Sequence, residues 1–209
     1  LVVPLLTSAA EARLELPRKS PKASVSQRVG LTDVTIDYHR PAVNKRTIFG
    51  KLVPFGKLWR TGANGCTKLT LSRPARIGGK AVPAGSYCLF TIPGKRRWTV
   101  VLNKNTKLWG TGGYKQDQDV ARFQVAAQKA PYRERLTFLF SKVKQGRARL
   151  DLWWARHYVP MSIEVETNRH ALAGIDKEVR RGWWTYAAAA RYLLESKQQP
   201  ERALALVNK

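Results

Sequence analysis

The side chains with most to offer chemically in this chain are its cations, because of where they stand. From Tyr38 to Gln116 there is no aspartate or glutamate, yet the stretch carries sixteen lysines and arginines. A solvated surface ordinarily mixes charge signs, since unbroken like charge repels itself. Such a segment predicts a surface completed by something negative: an acidic protein surface, an acidic glycan, anionic lipid headgroups or nucleic acid. The alternative is general basicity with no ligand. Screening over about 8 Å at physiological salt leaves only clustered charges effective. The tightest cluster is Lys95, Arg96 and Arg97 at a hairpin tip; Arg40, Lys45 and Arg46 form another in a loop, and Lys104 and Lys107 extend the series. These eight are the candidate binding residues.

Other reactive types are sparser. His39 follows Asp37 by two, and residues two apart on a strand share a face. The pair reads either as a base with its orienting carboxylate or as a surface hydrogen bond. Asp33/Asp37, Asp117/Asp119 and Glu164/Glu166 suit glycoside hydrolysis only if carboxylates oppose one another across a cleft; alternating outward acids on strands is the simpler reading. His39, His157 and His170 are too dispersed for a metal triad, so no metal, cofactor or catalytic residue is assigned. Gly110-Thr111-Gly112-Gly113 lacks the Gly-Lys-Ser/Thr of a phosphate loop and reads as a turn. Cys66 and Cys88 lie in neighbouring strand-like segments and form either a hairpin-scale disulfide or two buried thiols. Phe55, Trp59, Trp98, Trp109 and Tyr114 interleave with the bases, but a stacking platform needs them exposed, and alternation puts Trp98 in the core. With none of the nucleic-acid-binding signatures present, nucleic acid is the less favoured partner.

The elements that must position these residues follow from periodicity. Between Lys22 and Glu166 the pattern has period two, with inward sets Val34/Ile36/Tyr38, Trp98/Val100/Leu102, Leu136/Phe138/Phe140, Leu150/Leu152/Trp154 and Met161/Ile163/Val165. Gly78-Gly79 marks a two-residue hairpin, and Pro83-Ala84-Gly85 and Pro93-Gly94 bracket another strand. Eight or nine short strands without interleaved long helices predict an antiparallel β-sandwich over 13–166. Beyond Glu166 the spacing turns helical. Trp183 to Lys197, with Ala187 to Ala190 consecutive, and a second helix opening at Pro200 form a C-terminal hairpin in 167–209; Asn168 to Arg181 suggests a preceding helix. Two helices cannot bury their apolar faces alone, so Trp183, Trp184, Tyr186 and Tyr192 are expected against the sandwich or a partner. Residues 1–12, an apolar run ending Ala10-Glu11-Ala12, read as a signal-peptide remnant and imply export. Across 209 residues, 44% hydrophobic and 25% charged composition excludes general disorder, while 38 Lys+Arg against 14 Asp+Glu leave a net charge of +24.

Several motifs carry a family resemblance: Leu16 to Gln27, Gly30 to Tyr38 with Arg40-Pro41, Ile48-Phe49-Gly50, Leu52 to Asn64, Pro83 to Tyr87 with Leu89 to Pro93, and Asn103 to Thr106 before Trp109-Gly110. Together they resemble domain of unknown function 2911, a group of exported bacterial proteins, and the tail resembles a tetratricopeptide-type hairpin. The resemblance implies a β-rich exported domain of periplasm or cell envelope with a helical C-terminus, and no reaction. The chain departs from that pattern in being far more basic and in placing His39 where a small residue is more usual.

The functional expectation is a non-enzymatic exported protein that docks its basic surface onto an acidic partner, as a subunit or accessory of an envelope or membrane-associated assembly. A polyanion-binding module for glycan, lipid or nucleic acid, led by Lys95, Arg96 and Arg97, is the second reading. An enzyme acting on cell-wall or glycan substrates is the third.

Overall fold

A computed structural model describes residues 16–178 and 183–207; the expected leader, 1–12, lies outside them. Ten strands precede three helices: β1 (Lys22–Val29), β2 (Thr32–His39), β3 (Thr67–Leu71), β4 (Ala75–Ile77), β5 (Lys80–Val82), β6 (Gly85–Ile92), β7 (Arg97–Asn103), β8 (Asp119–Ala126), β9 (Gln128–Lys144), β10 (Arg147–Glu164), α1 (Thr167–Glu178), α2 (Trp183–Glu195) and α3 (Pro200–Val207). They form two antiparallel sheets, one in the order β1-β2-β3-β6-β7-β8 and one in the order β5-β4-β10-β9. The fold is the expected sandwich, with one strand more than the upper expectation. The shortest strands, β4 and β5, are three residues each and flank Gly78 and Gly79, which take φ +55° and +77° as a tight hairpin of this hand requires. Gly78 is also a close-approach site: a Cβ there would meet the Phe123 ring of β8 at 2.1 Å, where one sheet edge closes on the other.

The alternation assigned from sequence is the core. Val34, Ile36, Trp98, Val100, Leu102, Leu136, Phe138, Leu150, Leu152, Trp154, Met161 and Ile163 are all buried between the sheets, while Phe140 is only partly covered. Tyr38 joins the two layers, its ring edge-on to Phe138 at 4.9 Å and its hydroxyl accepting the Phe138 amide at 3.1 Å. At one end an aromatic box forms. Trp59 stacks on Trp154 (5.7 Å, 18° between planes), and Phe49 meets Trp98, Trp154 and His157 edge-on. Aromatic pairs at such separations each contribute about 0.5–1.5 kcal/mol beyond the area they bury.

The outer face of the second sheet carries a feature with no sequence signal. Asp151 is fully buried, and its carboxylate faces Arg149 at 3.4 Å and accepts the Ser141 hydroxyl. Tyr158 accepts from the same guanidinium. These groups bridge the bulged part of the β9–β10 ribbon, where Ala155 takes φ +51°.

The helical tail keeps its apolar faces largely to itself. Ala189, Ala190, Leu193, Ala203 and Leu206 make a separate small core, with Tyr186 packed against it. The Tyr192 hydroxyl donates to Asn168 of α1 at 2.8 Å. Tyr186 and Tyr192 are half-buried, each with one side engaged inside the tail. Trp184 is 74% exposed, and the side chain of Trp183 lies outside the described residues. No helix among the described residues is long and apolar enough to cross a membrane.

His157 supplies a test of the box. Burial lowers its pKa below 6.5, and its Nδ1 is buried without a partner. The folded state therefore disfavours imidazolium, so stability is full above the unfolded pKa and falls as pH drops below it. His157→Phe should flatten the loss of denaturant midpoint between pH ~7.5 and ~5, leaving the residual slope of His39, whose pKa is lowered too. An unchanged pH profile would show that the fold does not shift the His157 pKa.

Candidate anion-binding site

Between β2 and β3 the chain leaves the sheet for residues 40–66. Its first bases are consumed locally. The Arg40 guanidinium donates to the Leu136 carbonyl (3.0 Å) and the Thr137 hydroxyl (2.8 Å) of β9; that of Arg46 donates to the carbonyls of Val43 (3.0 Å) and Ala42 (2.7 Å). The chain rejoins the sheet at Trp59, which exchanges backbone hydrogen bonds with Thr91 at 2.8 and 2.9 Å. It then makes a short excursion closed by Thr67, whose amide donates to the Arg60 carbonyl and whose hydroxyl donates to that of Thr61 at 2.8 Å.

This excursion is held in an unfavourable shape. Thr61 has φ +56°, which is a genuine outlier for a β-branched residue. It is fully buried, with its hydroxyl bonded to the Trp59 carbonyl (3.2 Å) and the buried Thr91 hydroxyl (3.1 Å). Of the two readings for the cysteines, the structure has the disulfide: Cys66 is joined to Cys88 with Cα atoms 5.7 Å apart. Since Cys88 pairs with Lys68, Cys66 sits diagonally across the β3–β6 ladder on the same face. Strain of about 1–3 kcal/mol persists only where the surroundings over-determine it.

A second loop, 104–115, lies against the first through the Gly65–Trp109 bridge. Consecutive asparagine side chains shape its start: Asn103 accepts the Asn105 amide (3.0 Å) and Asn105 accepts the Lys107 amide (3.2 Å). The Asn103 amide group donates to the Lys115 carbonyl and to Asp119, both at 2.9 Å, so one side chain ties both ends of the loop. Asp119 also accepts from Tyr114 (2.7 Å) and Arg122 (2.9 Å). Burial and the bond to Asp119 push the Tyr114 pKa up to about 12.

Two hollows open along these loops. The larger, about 400 Å³, has Trp59 and Trp154 in its wall and Arg46, Lys57 and Arg60 around it. The smaller, about 280 Å³, is bordered by Lys22, Lys68, Lys107 and Trp109, with Asp37 and His39 at its side. They adjoin, because four segments contribute to both: Ser20 and Lys22, Pro41 and His39, Ala63 and Gly65, Thr111 and Trp109. Six cations thus face one carboxylate. Among the described residues, none of the sixteen bases from Tyr38 to Gln116 belongs to an ion pair. Arg60 rests against Gly110, where a Cβ would come within 3.0 Å of its guanidinium, and its Nε is buried without a partner. Trp109 is 66% exposed. His39 is kept neutral by burial first and then by Arg18 and Lys22.

The model of a family described as protein of unknown function (DUF2911) matches residues 20–163. The chain belongs to that family. The DUF2911 span contains every residue of both hollows and stops short of the helical tail. No curated protein and no solved structure matches the chain.

Within this DUF2911 domain the predicted bases are not gathered into one patch. Lys95, Arg96 and Arg97 are exposed at the β6–β7 tip, whereas Lys104 and Lys107 lie beyond the other end of β7; seven strand residues separate the groups by about 20 Å. Arg40 is a clamp on β9, and Lys45, at φ +58°, sits exposed in a turn. Only Arg46 and Lys107 of the eight reach a hollow. Sequence reasoning did not single out Lys22, Lys57, Arg60 and Lys68; the available signal was that Trp59-Arg60 and Trp109 fall in irregular, acid-free stretches. The carboxylate pairs are engaged elsewhere, Asp33 with Arg28 and Glu166 with Arg169, while Asp119 holds the second loop. Asp37 and His39 share a hollow without bonding to one another. Among the described residues no histidine, cysteine and carboxylate group converges into a metal-holding set.

Thr61 gives the measurement for this geometry. Thr61→Val keeps the strained φ and strands the Thr91 hydroxyl, and should lower unfolding free energy by about 2 kcal/mol. Thr61→Gly loses the same hydrogen bonds but relieves the left-handed penalty, and should fall within about 1 kcal/mol of the parent. Denaturant titration of both variants checks this; equal losses would mean that no strain is stored there.

Proposed function

We propose that the protein is an exported, non-enzymatic binding module that docks an anionic partner on the paired hollows, as an accessory or subunit of an envelope or extracellular assembly. The observation that carries this reading is six cations with one carboxylate around two adjoining hollows, none of the six in an ion pair among the described residues. Unpaired like charges raise the local potential, attract anions from solution and become less repulsive when an anion binds. The hairpin tip with Lys95, Arg96 and Arg97 is exposed too but lines neither hollow, so it serves long-range attraction.

Titration with polyglutamate separates the two surfaces. The double variant Lys57→Glu/Arg60→Glu should weaken binding roughly tenfold or more, and raising salt from about 50 to 300 mM should weaken the parent similarly. Charge reversal at Lys95, Arg96 and Arg97 should have the smaller effect and act mainly on association rate. Binding that ignores salt, or that only the hairpin-tip variant abolishes, would overturn the assignment to the hollows.

A further inference from the structure

We infer that the partner is an acidic oligosaccharide, a carboxylated sugar chain laid across both hollows. This rests on the anion-docking reading and names the ligand for it. Each hollow sets three bases beside tryptophan, Trp59 and Trp154 in the larger and Trp109 in the smaller, and the two border on the same four segments. A polymer that repeats a negative charge and a flat C–H face meets that repetition unit by unit; a single compact anion would use half of it. Of the volumes, about 400 Å³ lies low within the ~300–1,000 Å³ usual for small-ligand sites and about 280 Å³ just below it, so each admits a small unit of a longer chain.

Asp37 decides between polyanions. It stands directly opposite Lys68 in the β2–β3 register, inside an otherwise basic hollow. A carboxylate there accepts hydrogen bonds from hydroxyl donors, which a sugar ring carries and a polyphosphate chain lacks. His39 beside it, neutral, offers one donor and one acceptor instead of another charge. In the larger hollow Ser20 and Thr111 add hydroxyls. A ligand matched to this set carries hydroxyls as well as negative charge, as acidic sugars do. Trp109 is presented on a loop fixed at both ends through Asn103, a stiff platform for a sugar ring.

The test compares five probes by calorimetry on the full chain: a short oligogalacturonide, its neutral methyl ester, polyglutamate, inorganic polyphosphate and a single-stranded oligonucleotide. The oligogalacturonide should bind most tightly. Trp109→Ala should weaken it roughly tenfold while leaving polyglutamate nearly unchanged, and Asp37→Asn should weaken it while tightening polyphosphate. Trp109 is largely exposed, so its variant should stay folded; near-ultraviolet circular dichroism verifies this, and Lys107→Ala gives a second variant in the same hollow. Polyglutamate, polyphosphate or oligonucleotide bound as well as or better than the uronide, with Trp109→Ala silent, overturns the sugar assignment and leaves anion docking standing. No binding of any probe overturns both.

Discussion

The stack of Trp59 on Trp154 is the contact on which the rest depends. Trp154 belongs to the core face of β10, and Trp59 to the irregular chain between β2 and β3, so the pair fastens a loop to the far sheet. Phe49, from the same loop region, inserts edge-on between Trp98 of one sheet and Trp154 of the other. The loop is thus part of the hydrophobic core at one end of the sandwich, and it displays bases at the other side of the same residues. Lys57 and Arg60 flank Trp59 in sequence, and both border the larger hollow. Removing the indole would open the core and release the cations together, since burial of the ring is what fixes the backbone that carries them.

The surplus of positive charge is sorted by the fold into three uses. Some guanidiniums satisfy backbone carbonyls, as Arg40 and Arg46 do, where five donors on a rigid fork close gaps that a lysine would leave. Others stand over aromatic faces on the second sheet: Arg133 lies 4.2 Å from the Trp153 centroid. Much of what remains is exposed, and carboxylates other than Asp37 are engaged elsewhere, Asp119 within its own loop network and Glu166 and Asp176 in the tail. The hollows are positive because Asp37 is the one acid among the residues that line them, not because lysines are unusually dense there.

That distinction explains how much was legible beforehand. Strand alternation is a local, period-two signal, and the inward sets from Val34 to Ile163 fell where it put them. The Gly78-Gly79 hairpin is equally local, because positive φ at both central residues is a demand on residue type. The candidate site is not local. Lys22 comes from the first strand, Lys68 from the third and Lys107 from a loop after the seventh, and only the β1–β2–β3 pairing with the Gly65–Trp109 bridge sets them around one hollow. Adjacency in sequence misled in the opposite sense: Lys95 to Lys107 looks like one basic run, but an intervening extended strand carries its ends apart. The tail shows the same limit. Helical spacing places Tyr186 and Tyr192 on α2 but not the neighbours they meet, the small core shared with α3 and Asn168 of α1.

The strain at Thr61 and the double anchoring by Asn103 belong to one physical logic. A loop that orders only when ligand arrives must lose about 1–2 kcal/mol of backbone freedom per residue at that moment, which consumes most of what a few charge contacts yield. Here the ordering is completed during folding by the disulfide, the Trp59–Thr91 bridge and the asparagine turns. Ammonium groups on long stems still move, but the backbones that carry them do not, so charges that repel one another are kept close in the absence of any anion. Held so, they gain by neutralisation alone, and a surface of modest area can select its partner by where the charges and hydroxyl acceptors stand.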